Sequence, residues 1–442
     1  MTTPAHTALF HTFGCKLNFA ETATVARVFA ENGIGAVAEG ETPDFVVVNS
    51  CSVTAEADRK CRSAIRNFNR RYPQAAIIVT GCYAQLKPAE VSLLPGVAIV
   101  AGVNDKLELA RMAAEWLATR KARCEVPAAR DLRAFMPSCS RGDRTRFFLK
   151  VQDGCDYWCS YCTIPRARGR SRSGSIADIV RQAEEAAAAG GKEIVITGVN
   201  IGDFGAGRSD RLIDLCRELD KVSGIERYRI SSIEPNLLTE ELIDFVGGSR
   251  AFMPHFHIPL QSGSDEVLRL MHRHYDRALF ADKIRKIKQQ MPDAFIGVDV
   301  MVGCRGETPE CFEETCRFLD ELDVTQLHVF PYSERPGTAA LKIPYIVSEE
   351  DKRDRCHRLL ALSEAKTQAF YERHVGQEAV VLFEKSLRGR AMTGFTDNYI
   401  RVELTPAQSD ESYNNRLVSV IMGPPNHKKT ALKVAQVLSP LQ

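Results

Sequence analysis

Two kinds of segment are missing from this sequence of 442 residues. No apolar run approaches the length that crosses a bilayer, and the first residues, MTTPAHTALF, lack the basic stretch and apolar region of a secretory leader. We therefore expect a cytoplasmic protein with no membrane partner. Net charge is also small, since 58 Lys and Arg oppose 56 Asp and Glu. Composition alone does not indicate a nucleic-acid partner, so any such site must be a local patch.

Low-complexity segments and internal repeats are absent as well, whereas cysteine is plentiful, with 14 residues. The reducing cytoplasm keeps thiols free, so metal or cluster ligation is the leading explanation for some of these cysteines. The length, together with 44% hydrophobic residues, predicts two to three domains with filled cores.

The first part of the chain alternates short apolar runs with amphipathic patterns. The runs at 8–13, 44–48, 77–80 and 97–101 predict strands, and those at 19–32 and 55–71 predict helices. This alternation predicts an α/β domain, residues 1–135, built on a parallel sheet covered by helices. A weakly patterned stretch from about 121 to 142 predicts a linker.

Two further units are predicted after it. Six apolar runs separated by helices predict a partial (β/α)6 barrel over residues 141–370, with strands at 147–151, 193–197, 227–232, 255–260, 295–302 and 326–330. Polar or Gly-rich sequence follows nearly every strand, at the barrel edge where ligands collect. Five short β-like runs between 374 and 442 predict a small OB-like β-barrel.

Three cysteines follow the first barrel strand within one loop. Cys155, Cys159 and Cys162 in QDGCDYWCSYCTIP have the spacing CxxxCxxC. Three thiolates can hold three irons of a [4Fe-4S] cube and leave the fourth iron open to a ligand. The alternative is a structural zinc site, which takes four ligands and usually has CxxC pairs.

A second triplet is dispersed in sequence. Cys15, Cys51 and Cys82 each lie one to three residues beyond the end of a predicted parallel strand. Those ends share one edge of the sheet, so the three thiols can converge there. Taken singly, each cysteine could instead be a small buried apolar residue.

The loop with CxxxCxxC after the first strand of a partial barrel resembles the radical-SAM superfamily. Nearly the whole chain resembles the methylthiotransferase family, through TFGCKLN, NSCSVT, TGCYAQ, GCDYWCSYCTIPRARGRSRS, TGVNIGDFG, HIPLQSGSD and FPYSERPGT in that order. The last unit resembles a TRAM domain. One departure is Gly303-Cys304-Arg305-Gly306-Glu307, where family members commonly have GFPGE and this chain lacks the proline.

The resemblance implies two [4Fe-4S] clusters and S-adenosylmethionine. Cys155, Cys159 and Cys162 would hold the catalytic cluster, and Cys15, Cys51 and Cys82 an auxiliary one. Candidate S-adenosylmethionine contacts, for which a turn or capping role is the alternative, are Gly198, Asn200, Ser232, Glu234, Gln261 and Ser262. The implied reaction adds a methylthio group to C2 of an adenosine in tRNA. The implied partners are the tRNA anticodon stem-loop, a reductant such as flavodoxin or ferredoxin, and a sulfur donor.

Candidate RNA contacts form local patches. The segment from residue 141 to residue 172 contains eight Lys or Arg but only three Asp, so it has a local excess of positive charge. The predicted phosphate contacts are Arg166, Arg168, Arg170 and Arg172 near the first cluster loop, and Arg388, Arg390, Lys428 and Lys429 in the last unit, where Phe395 and Tyr399 could stack on bases. Tyr332, Ser333 and Arg335 could contact the substrate base. Solvated loops, core aromatics and a structural turn are the alternatives.

Two stretches bear on the substrate. TFGCKLN and HVFPYSERPGT resemble the members that modify N6-threonylcarbamoyladenosine more than those that modify N6-isopentenyladenosine. The isopentenyl substrate and an aspartate of a ribosomal protein remain alternatives within the family. A zinc-containing RNA-binding protein without a reaction is the alternative from another class.

Overall fold

The computed structural model describes residues 6–140, 145–384 and 391–440. Its first unit is a parallel sheet with helices on both faces. The strands are β1 (His6–Thr12), β2 (Ile34–Ala36), β3 (Phe45–Ser50), β4 (Ala76–Gly81), β5 (Val97–Ala101) and β6 (Arg123–Glu125). The helices are α1 (Lys16–Glu31), α2 (Ala55–Arg71), α3 (Cys82–Leu86), α4 (Pro88–Ser92) and α5 (Leu109–Thr119). The strand order is β2-β1-β3-β4-β5-β6.

The centre of this sheet follows from its sequence. Every residue of β3 and β4 is buried, as expected for β-branched, apolar strands that helices cover on both faces. Helix α2 begins where the Thr54 side chain accepts a hydrogen bond from the Ala57 N–H. Acidic residues occupy its first turn and basic residues its last, which complements the helix dipole.

The prediction of a linker between about residues 121 and 142 is only partly correct. Strand β6 adds to the edge of the first sheet, where Ile99 pairs with Arg123. Strand β7 (Ser138–Cys139) pairs antiparallel with the first barrel strand. Strands of two or three residues have too few positions to show an alternating pattern, so β6 and β7 were not predicted from the sequence. Strand β2 was missed for the same reason.

The second unit is a partial barrel of six parallel strands, as predicted. The six barrel strands are β8 (Arg146–Lys150), β11 (Glu193–Thr197), β12 (Arg227–Ile230), β13 (His255–Gln261), β14 (Phe295–Val302) and β15 (Gln326–Pro331). Two short strands of the same unit, β9 (Gln152–Asp153) and β10 (Arg172–Ser173), form a separate antiparallel pair. Its helices are α6 (Ile164–Arg168), α7 (Ile176–Ala188), α8 (Leu212–Asp220), α9 (Glu240–Gly248), α10 (Asp265–Leu270), α11 (Arg277–Gln290), α12 (Pro309–Glu321) and α13 (Glu349–Glu372). Strands β8, β11 and β12 form one parallel set, β13, β14 and β15 another, and the bridge of Ser232 with His257 joins them.

The third unit is a closed five-stranded barrel, as predicted. Its strands are β16 (Glu378–Phe383), β17 (Thr393–Thr396), β18 (Arg401–Glu403), β19 (Leu417–Pro425) and β20 (Leu432–Pro440), in the order β16-β17-β18-β20-β19. It covers the N-terminal end of the partial barrel, where Arg227 donates to the carbonyls of Phe395 and Val380 at 2.8 and 2.7 Å. Arg229 donates to the Thr396 carbonyl at 2.7 Å.

This packing corrects the interpretation of two aromatic residues. The Tyr399 ring stacks on Phe395 with centroids 4.7 Å apart, and the Arg229 guanidinium lies 4.8 Å from the Tyr399 centroid. Both rings therefore belong to the contact between the two barrels, where they are not available to stack on RNA bases. Within the described ranges, no helix combines the length and apolar character needed to cross a membrane.

Candidate functional site

The three dispersed cysteines converge at one edge of the first sheet. Cys15, Cys51 and Cys82 follow β1, β3 and β4, which are neighbours in the sheet. Burial and then the nearby thiols of Cys82 and Cys15 raise the pKa of Cys51 to about 11. Solvent reaches part of Cys15, yet the dense protein around its thiol and the nearby Cys82 raise its pKa as well. The three cysteines therefore lie near one another at the ends of neighbouring strands.

Two glycines allow this close approach. Gly14 and Gly81 both have φ near +95°, a region that other residues rarely adopt. A Cβ atom on Gly14 would lie 2.8 Å from the Cys51 sulfur, and one on Gly81 would lie 2.4 Å from the Ser50 carbonyl oxygen. Any side chain at either position would push the strand ends, and with them the thiols, apart.

The triplet of Cys155, Cys159 and Cys162 lies in a loop that is anchored at both ends. Strands β9 and β10 form a two-residue antiparallel ladder that pairs Asp153 with Arg172, so the intervening loop is closed at its base. Burial and then Cys159 raise the pKa of Cys155 to about 12. Backbone N–H groups donate to two of the sulfurs, from Tyr157 to Cys155 at 3.5 Å and from Ile164 to Cys162 at 3.4 Å.

Each triplet also receives one charged N–H donor. Arg168 donates from Nε to the Cys82 sulfur at 3.3 Å, and Arg273 donates from Nη1 to the Cys159 sulfur at 3.2 Å. Such donors stabilise thiolates and favour cluster ligation. In the described part of the chain, no three or more His, Cys, Asp or Glu side chains surround a position for a single metal ion.

Arg168 also belongs to a buried ionic network between the two units. Its guanidinium pairs with Glu21 and Asp153, both at 3.0 Å. Lys150 pairs with the same two carboxylates, both at 2.7 Å, and Lys106 pairs with Glu21. These five side chains are at most 2% exposed, so each charge depends on its partners.

This network corrects the prediction for two of the four RNA-binding arginines predicted near the first cluster loop. Arg168 is buried, and Arg172 is largely covered and donates to the Ala134 and Arg168 carbonyls and to Asp153. Neither guanidinium is available to a phosphate, because internal acceptors occupy its donors. Arg166 and Arg170 are exposed near the cluster loop.

The remaining predicted RNA contacts lie in the third unit. Lys428 and Lys429 are exposed between β19 and β20. Arg388 and Arg390 lie outside the described residues.

A cavity of about 200 Å³ lies between the first unit and the barrel. It is lined by Val53 and Thr54 from the first unit and by Tyr161, Cys162, Thr163, Ile164, Gln261, Met301, Phe330, Pro331, Tyr332 and Ser333 from the barrel. Gln261 has φ of +67°, and its buried Oε1 has no hydrogen-bond partner among the described residues. The Oδ1 and Nδ2 atoms of the buried Asn200 also have no hydrogen-bond partner among the described residues. Unsatisfied polar atoms are costly, so these two side chains fit a polar ligand such as S-adenosylmethionine.

The other predicted cofactor contacts have internal roles in the structure. A Cβ atom on Gly198 would lie 2.9 Å from the Gln152 carbonyl oxygen, so this position is tightly packed. Ser232 forms the bridge to β13, and the buried Ser262 accepts from the Ser264 N–H at 3.2 Å. Glu234 pairs with Arg273 and so orients the guanidinium that donates to Cys159.

The stretch after the last barrel strand holds the two units together. Arg335 is buried and donates to Ser52 and Asp58, both at 2.8 Å, and the Ser333 hydroxyl accepts from the Ala55 N–H at 3.1 Å. Arg335 is therefore an interface residue and not a contact of the substrate base. Tyr332 is buried and lines the cavity, and its hydroxyl has no partner among the described residues.

The atypical loop at 303–307 also closes on internal partners. Arg305 donates to Glu334 at 2.7 Å and to the Leu341 and Ile343 carbonyls at 3.0 Å. Sequence reasoning missed Arg273, which lies 111 residues beyond Cys162 in HRHYDR without a nearby cysteine to mark it. Only the tertiary contact with Cys159 identifies it.

Two family models match the chain. The radical SAM superfamily model covers residues 149–319, and the model of the uncharacterized protein family UPF0004 covers residues 7–102. The threonylcarbamoyladenosine tRNA methylthiotransferase MtaB of Bacillus subtilis (strain 168) is 39% identical over 90% of both chains. The chain belongs to the radical-SAM methylthiotransferase family.

Two other relatives of this methylthiotransferase have names that give different adenosine substrates. The threonylcarbamoyladenosine tRNA methylthiotransferase MtaB of Aquifex aeolicus (strain VF5) is 37% identical over 89% of this chain and 95% of its own. A tRNA-2-methylthio-N(6)-dimethylallyladenosine synthase of Syntrophotalea carbinolica is 31% identical over 85% and 88%. The solved radical S-adenosylmethionine methyltransferase TsrM of Kitasatospora setae shares the fold, with a TM-score of 0.55, 16% identity, and coverage of 76% and 77%.

Proposed function

We propose that this methylthiotransferase adds a methylthio group to C2 of N6-threonylcarbamoyladenosine next to the anticodon of tRNA. One observation carries the proposal. Val53 and Thr54, just beyond Cys51, line the same cavity as Cys162. A site that delivers sulfur and a site that generates a radical must face one substrate atom, and this cavity lies between the two triplets. The two MtaB relatives support the choice of substrate.

The catalytic triplet fits a [4Fe-4S] cluster with one open iron. Cys155, Cys159 and Cys162 would hold it, since three thiols leave one coordination position for S-adenosylmethionine. When bound, the cluster and S-adenosylmethionine supply a carbon radical that can remove hydrogen from an aromatic C–H, a bond that acid-base groups do not cleave. Asn200 and Gln261 would hydrogen-bond S-adenosylmethionine, because both side-chain polar atoms of Asn200 and the Oε1 atom of Gln261 have no other partner among the described residues.

The auxiliary triplet fits a second [4Fe-4S] cluster. Cys15, Cys51 and Cys82 would hold it, with the Arg168 guanidinium balancing charge at the Cys82 sulfur. A structural zinc site would need a fourth ligand at each triplet, whereas both triplets have three cysteines. The apolar lining from Ile164, Met301 and Phe330 would keep water from the reacting carbon.

The partners follow from the reaction and the surface. The anticodon stem-loop would contact the exposed Arg166, Arg170, Lys428 and Lys429, which fit phosphate contacts around the cavity and on the third unit. A cytoplasmic location, a reductant such as flavodoxin or ferredoxin and a separate sulfur donor complete the proposal. The chemistry consumes both electrons and sulfur, so it requires both donors.

Mass spectrometry of tRNA nucleosides tests the proposal directly. Expression in a host that lacks the modification should produce 2-methylthio-N6-threonylcarbamoyladenosine. The 2-methylthio-isopentenyl product would keep the reaction and overturn the substrate. Neither nucleoside in a host shown to assemble iron-sulfur clusters would contradict the tRNA reaction. Anaerobically purified protein should be brown and carry iron, whereas a colourless zinc protein would contradict the cofactors.

A further inference from the structure

The loop that carries the catalytic triplet has one part at the cavity and another part at the protein surface. Its residues 161–164 line the cavity. Earlier in the loop, Trp158 lies between Cys155 and Cys159, which are both partly exposed, and 58% of the Trp158 surface is open to solvent. The triplet therefore lies between the cavity and an exposed aromatic residue.

The backbone holds Trp158 in an unfavourable conformation. Its φ angle is +52°, a region that bulky side chains rarely adopt. His272, which is also exposed, has φ of +57°. Conformations of this kind persist where the surrounding structure fixes them, and they cluster at functional sites. An exposed tryptophan held in this way gains little from burial, so its position needs another explanation.

The turn that follows α10 lies alongside this loop. The Ser160 N–H donates to the Met271 carbonyl at 3.0 Å. The Tyr157 ring stacks on the His274 ring, with centroids 4.2 Å apart and planes 8° from parallel. Trp158 lies between these two contacts in sequence. It therefore shares a surface with the exposed side chains of the turn.

This turn has an excess of positive charge. Residues 269–274, RLMHRH, contain no acidic side chain. Arg269 is exposed and has no ion-pair partner in the described part of the chain, and His272 and His274 are exposed beside it. Glu266, one turn earlier in α10, instead lies 3.8 Å from the Cys311 sulfur. The guanidinium of Arg269 therefore remains open to an acidic partner.

The carboxylates next to the triplet do not cancel this charge, because they have partners of their own. Asp156, the acidic residue of the loop, pairs with Arg170 at 3.2 Å. Glu234, at the end of a barrel strand, pairs with Arg273.

We propose that the surface formed by Trp158, Arg269, His272 and His274 docks a flavodoxin. This inference rests on the proposed catalytic cluster and adds the route by which its electron arrives. Flavodoxins present an apolar flavin edge within an acidic rim, which matches an exposed tryptophan flanked by cations. The flavin hydroquinone anion loses one electron and becomes the neutral semiquinone. The [4Fe-4S] cluster gains that electron, so no atom is transferred.

The kind of surface suits a transient redox partner. Such partners bury small interfaces, in which Trp and Arg side chains contribute much of the binding energy. Residues 161–164 reach the cavity from the same loop, whereas Trp158 lies at the surface. A donor bound at Trp158 would therefore leave the cavity to the tRNA substrate.

Two measurements on the reconstituted protein under anaerobic conditions test the inference. Fluorescence anisotropy of labelled, oxidised flavodoxin measures docking. Stopped-flow absorbance measures reduction of the cluster by photoreduced flavodoxin and by reduced methyl viologen, a small mediator that needs no docking surface. We expect Trp158→Ala and Arg269→Glu each to weaken binding and to slow reduction by flavodoxin about tenfold. Reduction by methyl viologen should be at least as fast as in the natural protein.

Matched controls are available elsewhere on the surface. Arg353→Glu reverses an exposed charge on α13, and Leu93→Ala removes a side chain that is 86% exposed on the first unit. Both should keep the natural rates with both reductants. Added salt should slow reduction of the natural protein by flavodoxin, and it should slow Arg269→Glu less.

Unchanged flavodoxin binding and reduction in both variants would overturn the inference. Where Trp158→Ala loses reduction by both reductants, the loop itself is damaged, and Arg269→Glu, which lies outside the loop, decides the matter alone. Weaker binding of an anticodon stem-loop with unchanged reduction by flavodoxin would assign this surface to RNA instead. Formation of 5′-deoxyadenosine with methyl viologen tests the catalytic cluster separately, so a failure of docking is distinguishable from a failure of the proposed function.

Discussion

The Arg168 guanidinium lies 3.3 Å from the Cys82 sulfur, and this contact joins the two cysteine triplets. Arg168 ends the short helix α6 that begins two residues after Cys162, whereas Cys82 begins α3 in the other unit. The loop that carries one triplet therefore supplies a positive charge to the other. Arg168 is therefore one of the side chains that fix the two sites relative to each other, together with Lys150 and Arg335.

Arg168→Gln should destabilise the protein and alter the auxiliary site. Glu21 and Asp153 would lose a buried partner, which costs about 3–5 kcal/mol of unfolding free energy. Loss of the charged N–H···S contact should also make the auxiliary cluster harder to reduce. Urea unfolding and an EPR-monitored redox titration measure the two effects. Arg170→Gln, at an exposed arginine of the same segment, should change neither, and an unaltered Arg168→Gln protein would contradict the assignment.

Arg273→Gln should act on the other site alone. The substitution removes the N–H donor to Cys159 and leaves Glu234 without its partner. The catalytic cluster should become harder to reduce, and reductive cleavage of S-adenosylmethionine should slow. Redox titration of both clusters separates the outcomes. A shift confined to the auxiliary cluster would show that the contact with Cys159 does not govern the catalytic one.

Cys159→Ser should abolish release of 5′-deoxyadenosine while about half of the iron remains bound. The two triplets lie on separate sheets, so loss of one thiol should leave the auxiliary site intact. Iron analysis and product assay of the same preparation check both halves of the prediction. Continued release of 5′-deoxyadenosine would contradict the role of this triplet. Cys216→Ser, at a buried cysteine of α8, is the control that should retain all of the iron.

The ionic network predicts a pH-dependent stability. Burial raises the pKa of Glu21, but Arg168, Lys106 and Lys150 outweigh it and hold the pKa well below its usual range. A carboxyl group whose pKa is lower in the folded than in the unfolded state stabilises the folded protein at pH values above its unfolded pKa. This stabilisation is lost as the pH falls toward the folded pKa. Urea midpoints should therefore change little from this network between about pH 7 and 5 and fall steeply below about pH 4. Glu21→Gln should lower the midpoint at pH 7 and flatten the acid slope.

Arg335→Ala should loosen the contact between the two units. The substitution removes the pairing with Asp58 and Ser52, next to Cys51. We expect 5′-deoxyadenosine to continue to form while methylthiolated tRNA decreases, because the two sites no longer hold their relative position. The ratio of the two products measures this uncoupling. Arg353→Ala, at an exposed position of α13, should leave the ratio unchanged. An equal loss of both products in Arg335→Ala would point to general destabilisation instead.

Local spacing in the sequence predicted much of the architecture. The six barrel strands, the parallel first sheet and the closed final barrel each span enough residues for their periodicity to show. Cys155, Cys159 and Cys162 share one loop, so their spacing alone indicates a common site. Topology predicted that Cys15, Cys51 and Cys82 lie close together, because parallel strands end at one edge of a sheet. The very short strands β2, β6 and β7 were missed.

The roles of individual charged and aromatic side chains were decided only by the tertiary structure. Arg166, Arg168, Arg170 and Arg172 alternate in sequence, yet Arg168 is buried at a sulfur while Arg170 is exposed. Tyr399 packs between barrels for a similar reason, since its partners come from distant segments. A guanidinium or a ring has the same local pattern whether it meets solvent, a carboxylate or a thiol. The sequence therefore determined which residues could perform the chemistry, and the packing of the three units determined which of them face it, because burial and pairing depend on contacts between distant parts of the chain.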